Sequence, residues 1–397
     1  MSTPVIRELE PSVDHNHCTT RQFQHQTFCH EGVWFVFYSD GTNFRYQTSA
    51  DGGKTWRRAD HPVAPAPNGS SSFDVLTVGD AVYISHALFP QGRYDVNAPY
   101  AKDPKRRGEY RHEGRVKKGR IEGRAIRWLP DVTLGFSPDY CNLVRDTGGH
   151  LWIFSRQAQQ GVAWRTRRPD DVREWLPKAV CIPHKGRHAL DAAALDGGKL
   201  YAASLLTTEG TLYGNLYDGN AWGPQPTLIA RGLTRVAGDD RRLSLEFDPA
   251  RKRLHLVYVD VQGVLRHRHL DSPYRAEHWR PALASPGREL ARGVFTAAVS
   301  IDTSRTPCEL IITYGIERYL GRDRRRRMGE LVARRFDGQH WRGAPVLVSQ
   351  PETLHNWYPN VNQDTGTGLC VLYSRSVDKT RLGTPLAVMA SVLQPCP

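Results

Sequence analysis

The chain has little that would build helices or membrane spans. Only three of its 397 residues are Met. Apolar residues at helical spacing are nearly absent, which excludes alternating strands and helices around a parallel sheet. No stretch approaches the roughly 20 consecutive apolar residues of a membrane helix, so no membrane partner is expected. The opening MSTPVIRELEPSVDHNH has no basic start and no apolar run. As given, the chain carries no secretory signal, and a cytoplasmic location is expected unless a leader has been trimmed. Seven cysteines without a Cys-x-x-Cys pair read as reduced thiols rather than a disulfide frame. His15-Asn16-His17-Cys18 has the residue types of a metal site but no second cluster, so neither a metal nor a cofactor is expected. Arg324 to Arg327 has no recognition helix or nucleic-acid module beside it, and nucleic acid is not expected as a partner.

What the chain does have is turns and short alternating runs. Glycine (35), proline (26) and tryptophan (10) are plentiful. From Val33 to Trp56, two period-2 runs are separated by Ser39-Asp40-Gly41 and followed by Asp51-Gly52-Gly53, the pattern of antiparallel strands joined by tight hairpins. The first of these runs recurs seven times: VWFVFYS from Val33, AVYISHA from Ala81, HLWIFSR from His150, KLYAASL from Lys199, RLHLVYV from Arg253, CELIITY from Cys308 and GLCVLYS from Gly368. Each follows a turn and a shorter apolar run, and most are followed by a further run and a Trp. Successive starts lie 48 to 69 residues apart, the length of a four-stranded blade with its loops. The expectation is a single all-β domain, a seven-bladed β-propeller of four-stranded antiparallel blades. The seventh repeat stops after three strands, so residues near Pro4 to Leu9 are expected to supply the fourth and close the ring.

Two basic insertions, 89–127 and 316–327, read as loops between the second and third strands of their blades. Net charge is +13, which favours an anionic partner. In such a ring the starts of the inner strands and the ends of the second strands gather around one mouth. The topology sends Arg21, Arg187, His188, Arg241, Arg292, His355 and Tyr358 there from inner-strand starts. It sends His86, Arg156 and Arg375 there from second-strand ends. A ring of guanidiniums suits carboxylate, sulfate or phosphate, since planar forks pair bidentately with such groups. Each Arg also has a plainer reading as a tie between neighbouring blades. Together with His and Tyr, the set suits β-elimination on a uronate. Cations neutralise the carboxylate, a base takes the adjacent proton, and an acid protonates the leaving oxygen.

Ser49-x-Asp51-x-Gly53-x-Thr55-Trp56 resembles the Asp-box repeat of sialidase-type propellers. Blade three, with Tyr140-Cys141-Asn142 followed by Leu151 to Arg156, resembles the matching blade of seven-bladed ulvan-lyase-like polysaccharide lyases. That likeness implies proton transfer by Tyr140, uronate binding by Arg156, and His86 as the matching histidine. A sialidase arrangement would instead use Arg21, Arg241 and Arg292 on the carboxylate with Tyr358 as nucleophile. Against it, the Phe-Arg-Ile-Pro signature is missing (Thr20-Arg21-Gln22-Phe23 stands here), one good Asp box is present, and seven repeats replace six. The expected function is therefore a carbohydrate-active enzyme on an anionic saccharide, elimination ahead of hydrolysis. The alternative is a non-catalytic propeller that binds an anionic ligand or a partner protein.

Overall fold

Each recurrent run becomes a strand with both faces buried, which is why it reads as almost continuously apolar. Residues 34–39 of the first run are all buried. Phe35 and Phe37 pack into one seam, while Trp34, Val36 and Tyr38 pack into the other, as the period-2 geometry of a strand requires. A computed structural model of the chain describes residues 2–13, 19, 24–65, 73–88, 113–136, 139–157, 159–233, 243–320, 325–350, 356–377 and 385–393.

The strands form seven antiparallel sheets arranged as a ring. Blades 1 to 7 have inner strands Thr27–His30, Phe73–Val78, Asp139–Arg145, His188–Ala194, Leu243–Asp248, Val294–Asp302 and Asn356–Val361. Their second strands are Val33–Ser39, Ala81–Leu88, Leu151–Gln157, Leu200–Leu206, Arg253–Val259, Glu309–Leu320 and Leu369–Ser376. Blade 7 is completed by Leu386–Leu393 and, on its outside, by the N-terminal strand Val5–Val13. Val5 stands opposite Val392 and Val13 opposite Leu386, so the ring closes as expected, with a longer strand than Pro4 to Leu9. Seven apolar clusters fill the seven seams between blades.

The insertions differ from the sequence reading. Residues 113–122 and 125–128, read as loop, are the third and outer strands of blade 2. Alternate basic side chains on a half-exposed strand hid its period. Much of 316–327 likewise belongs to a long hairpin, Glu309–Leu320 with Arg325–Phe336. The turn after Ser49 is closed by its own side chains. Asp51 accepts from the Thr55 hydroxyl (2.6 Å) and the Ser49 hydroxyl (2.8 Å), and Ser49 accepts from the Gly53 N–H (2.8 Å). Gly53 has a φ of +84° and sits where a Cβ would meet Val392 at 2.7 Å, so only glycine fits. No helix among the described residues is long and apolar enough to cross a membrane.

Inner strands are sheet edges, and their outward N–H groups need acceptors. Buried side chains of neighbouring blades supply them. Asp74 of blade 2 accepts from the backbone N–H groups of His25 and Leu143. Asp191 of blade 4 accepts from Leu245 N–H of blade 5 (2.7 Å), and Ser244 of blade 5 from Val299 N–H of blade 6 (3.2 Å). Asp74→Ala removes from blade 2 the carboxylate that accepts N–H groups of both neighbouring blades. It should lower the unfolding free energy by about 3 kcal/mol or more in urea titrations. A loss within error would show that these bridges do not hold the ring.

Blade 5 carries three imidazoles together. His255 Nδ1 lies 2.9 Å from His267 Nε2, and the His269 ring is tilted against both, with centroids 6.1 and 5.9 Å away. His267 also meets Phe336 of blade 6 edge-on at 5.0 Å. Burial comes first, and then the charge of His269 on His267 and of Arg253 and Arg288 on both, in holding His267 near 3 and His269 near 4. Burial likewise depresses His255, with Arg251 and Arg253 adding to it. Asp271 alone opposes, on His269. Neutral in the fold and titrating at about 6.5 when unfolded, these groups stabilise above about pH 6.5. That stability is lost as pH falls towards their folded values. Tm should drop over this interval, and His267→Phe should make the drop shallower. An unchanged slope would remove the imidazoles as its cause.

Candidate functional site

The mouth gathers some of the expected residues and separates others. Arg21, Arg241 and His355 lie outside the described residues. Tyr140 lies on the inner strand of blade 3, one residue from Asp139, which pairs in register with Arg156. Tyr358 lies on the inner strand of blade 7, two residues from Asn356, the register partner of Arg375.

At the seam between blades 3 and 4, His188 lies within electrostatic reach of Arg156 and beside His184, whose ring meets Tyr213, and Arg187 precedes His188 in the chain. His188 begins the inner strand of blade 4 and is buried. Its Nε2 faces two carbonyl oxygens, those of His184 at 2.9 Å and Gln159 at 3.2 Å. That nitrogen must carry the proton, so Nδ1 accepts from the Ser204 hydroxyl at 2.8 Å. Burial, and then the charges of Arg156 and His184, hold its pKa below the usual value against the pull of the two carbonyls. His188 is therefore neutral at pH 7. The ring of His184 stacks on Tyr213 with centroids 3.7 Å apart, and its Nδ1 is buried without a hydrogen bond. Arg187 is half-buried, its Nε is enclosed without a partner, and no carboxylate among the described residues pairs with it. A desolvated guanidinium left without an anion is poised for one.

Beneath the mouth, groups from four blades meet on the axis. His25 of blade 1 lies 3.6 Å from Asp74 of blade 2 and 3.8 Å from Glu246 of blade 5, and it interacts with Asp191 of blade 4. Blades so far apart around the ring can touch only at its centre. Burial alone would lower the pKa of His25, but Asp74 and Glu246 outweigh it and raise the imidazole to about 10. Burial also raises Asp191 and Glu246, with His25 opposing. The floor of the mouth is thus a cation sandwiched by buried carboxylates. Nothing in the sequence signals that His25, Asp74, Asp191 and Glu246, from four separate repeats, would meet on the axis. His184 was also missed, although its place just before an inner strand was a usable signal. No three His, Cys, Asp or Glu side chains among the described residues are arranged as metal ligands.

The remaining candidates among the described residues are enclosed or paired elsewhere. His86 is fully buried, both ring nitrogens lack a hydrogen bond, and Phe44 meets it edge-on at 5.3 Å. Burial, assisted by Arg115 and Lys117 and opposed by Asp131, lowers its pKa to about 4. Arg292 is largely exposed, with a two-pronged pairing to Glu289 at 2.7 and 2.8 Å. Arg375 donates to Glu8 of the closing strand at 3.0 Å and to Gln350. Asp40 and Asp260, at two other second-strand ends, are each committed to a turn and to an arginine, Arg45 and Arg266 respectively.

No protein-family model matches the chain, and no curated protein matches it. Among solved structures it is similar to a lectin from Burkholderia pseudomallei, with 16% identity, 94% of each chain covered and a TM-score of 0.62. It is also similar to a polysaccharide lyase, at 10% identity over 94% of this chain and 90% of that one, TM-score 0.52. A Hadza microbial sialidase matches at 11% identity over 89% of this chain and 74% of that one, TM-score 0.51. The chain shares their propeller fold. All three are named for binding or cleaving carbohydrate, and at such identities the likeness is one of fold.

The axial pair gives a direct test. Glu246→Gln removes one of the two carboxylates that raise His25, so the His25 pKa should fall clearly below about 10 in ring-nitrogen NMR titrations. An unchanged value would mean that Glu246 does not contribute.

Proposed function

We propose that the chain is a carbohydrate-active enzyme that takes an acidic saccharide at the mouth above blades 3 and 4, with elimination ahead of hydrolysis. The observation that carries this reading is Arg187, a half-buried guanidinium that no carboxylate among the described residues pairs with, next in the chain to a neutral His188 that feels the charge of Arg156. Two guanidiniums on a uronate carboxylate spread its charge and make the adjacent ring C–H more acidic. Tyr140, beside the register partner of Arg156, is the proposed proton-transfer group. As phenolate it takes the ring proton. The electron pair of that C–H bond forms the new double bond, the glycosidic C–O bond breaks with its electron pair going to the departing oxygen, and that oxygen takes its proton from the Tyr140 hydroxyl, which returns to phenolate. His86 is enclosed, so the proposal does not route the proton through it.

The reading is tested with a panel of uronate oligosaccharides, following the ultraviolet absorbance of the conjugated double bond that elimination creates. Arg187→Ala and Tyr140→Phe should each slow its appearance by about 100-fold or more. New reducing ends without that absorbance would shift the chemistry to hydrolysis. Tight binding with neither product would overturn the enzyme in favour of a binding propeller.

A further inference from the structure

A cavity of about 550 Å³ lies far from the mouth, between the third strand of blade 1 and the outer hairpin of blade 2. Third strands run away from the mouth, and the turn at 123–124 joins blade 2's last two strands at the opposite face. The groove therefore opens at the rim on that opposite side. It exists because the outer strand of blade 1 is interrupted. Arg57–Arg58 and Ala64–Pro65 pair with the same strand, while the segment between them forms a lip.

The lining combines apolar and charged groups. Tyr46, Ile126 and Trp128 supply the apolar floor. The Tyr46 hydroxyl is already used by the Ile126 N–H at 3.0 Å, and Trp128 rests edge-on against Phe37. Of the charges, Arg58 is taken by Asp40 and Glu10, and Glu122 by Arg127. Three remain. Arg57 has no partner among the described residues, Arg124 reaches only the Thr48 carbonyl at 3.4 Å, and Asp60 has no ion pair. The volume suits one or two sugar rings.

We infer that this groove binds an acidic sugar residue, at a site separate from the mouth. Two guanidiniums with spare donors match a single carboxylate or sulfate. Asp60 accepts from sugar hydroxyls, which both donate and accept. The same carboxylate repels a polyphosphate, so the balance of charge favours a sugar with one anionic group over a nucleotide. The inference stands whether or not the mouth is catalytic.

The test uses the full chain with Arg187→Ala to weaken the mouth, titrated calorimetrically with a glucuronate disaccharide, a monosulfated disaccharide, a neutral disaccharide and AMP. Either acidic sugar should bind saturably. Adding Arg57→Ala with Arg124→Ala should weaken it about tenfold or more, and Ala125→Trp should block it by filling the groove. These exposed substitutions should leave Tm unchanged, and in the wild-type background they should leave turnover of short uronate substrates unchanged. Equal binding of the neutral sugar, tighter binding of AMP, or indifference to both groove variants would each overturn the inference. Loss of all binding with Arg187→Ala alone would do so too, while leaving the mouth reading intact.

Discussion

A ring of separate sheets has a weak point at its centre, where seven edges present backbone N–H groups with no strand to pair them. The chain meets this with short buried acceptors, Asp74, Asp191 and Ser244, each reaching the inner strand of a neighbouring blade. Buried carboxylates cost desolvation free energy, and multiple N–H donors offset it. The same carboxylates then draw in His25, whose imidazolium completes the axial cluster. Ring closure and the charge of the mouth's floor are consequences of one arrangement.

That floor constrains what the mouth can bind. Axial carboxylates lie below, and the guanidinium and imidazole groups of blades 3 and 4 stand to one side of them. An acidic ligand is favoured over that side and disfavoured directly over the axis. On the reading proposed above, off-axis binding brings the ligand towards blade 3, where Arg156 pairs in register with Asp139, the residue before Tyr140.

The wheel was legible because its signal is local and repeated. A strand buried on both faces writes the same apolar run seven times, and a missing fourth strand in blade 7 pointed to the other end of the chain. The outer strands were less legible. Residues 113–122 carry basic side chains on a half-exposed strand, so charge masked the alternation. Site residues were legible in position but not in partnership. Glu289 stands three residues before Arg292, and that pair was open to view. Arg375 meets Glu8 only once the ring has closed, and Asp74 meets His25 and Glu246 only on the axis. Contacts across such sequence distances leave no periodic trace.

A count of arginines therefore says less than their local arithmetic. Where a second strand ends in Asp, as in blades 1 and 5, that carboxylate folds its own turn and holds an arginine of the following strand. In blade 7 the closing strand brings Glu8 to Arg375. At the start of blade 5's successor, Glu289 neutralises Arg292. Blade 4 opens with Arg187, which has no carboxylate to hold it among the described residues. The ring's excess of positive charge becomes chemically usable where this local cancellation fails. That is why the seam between blades 3 and 4, rather than the mouth as a whole, carries the functional argument.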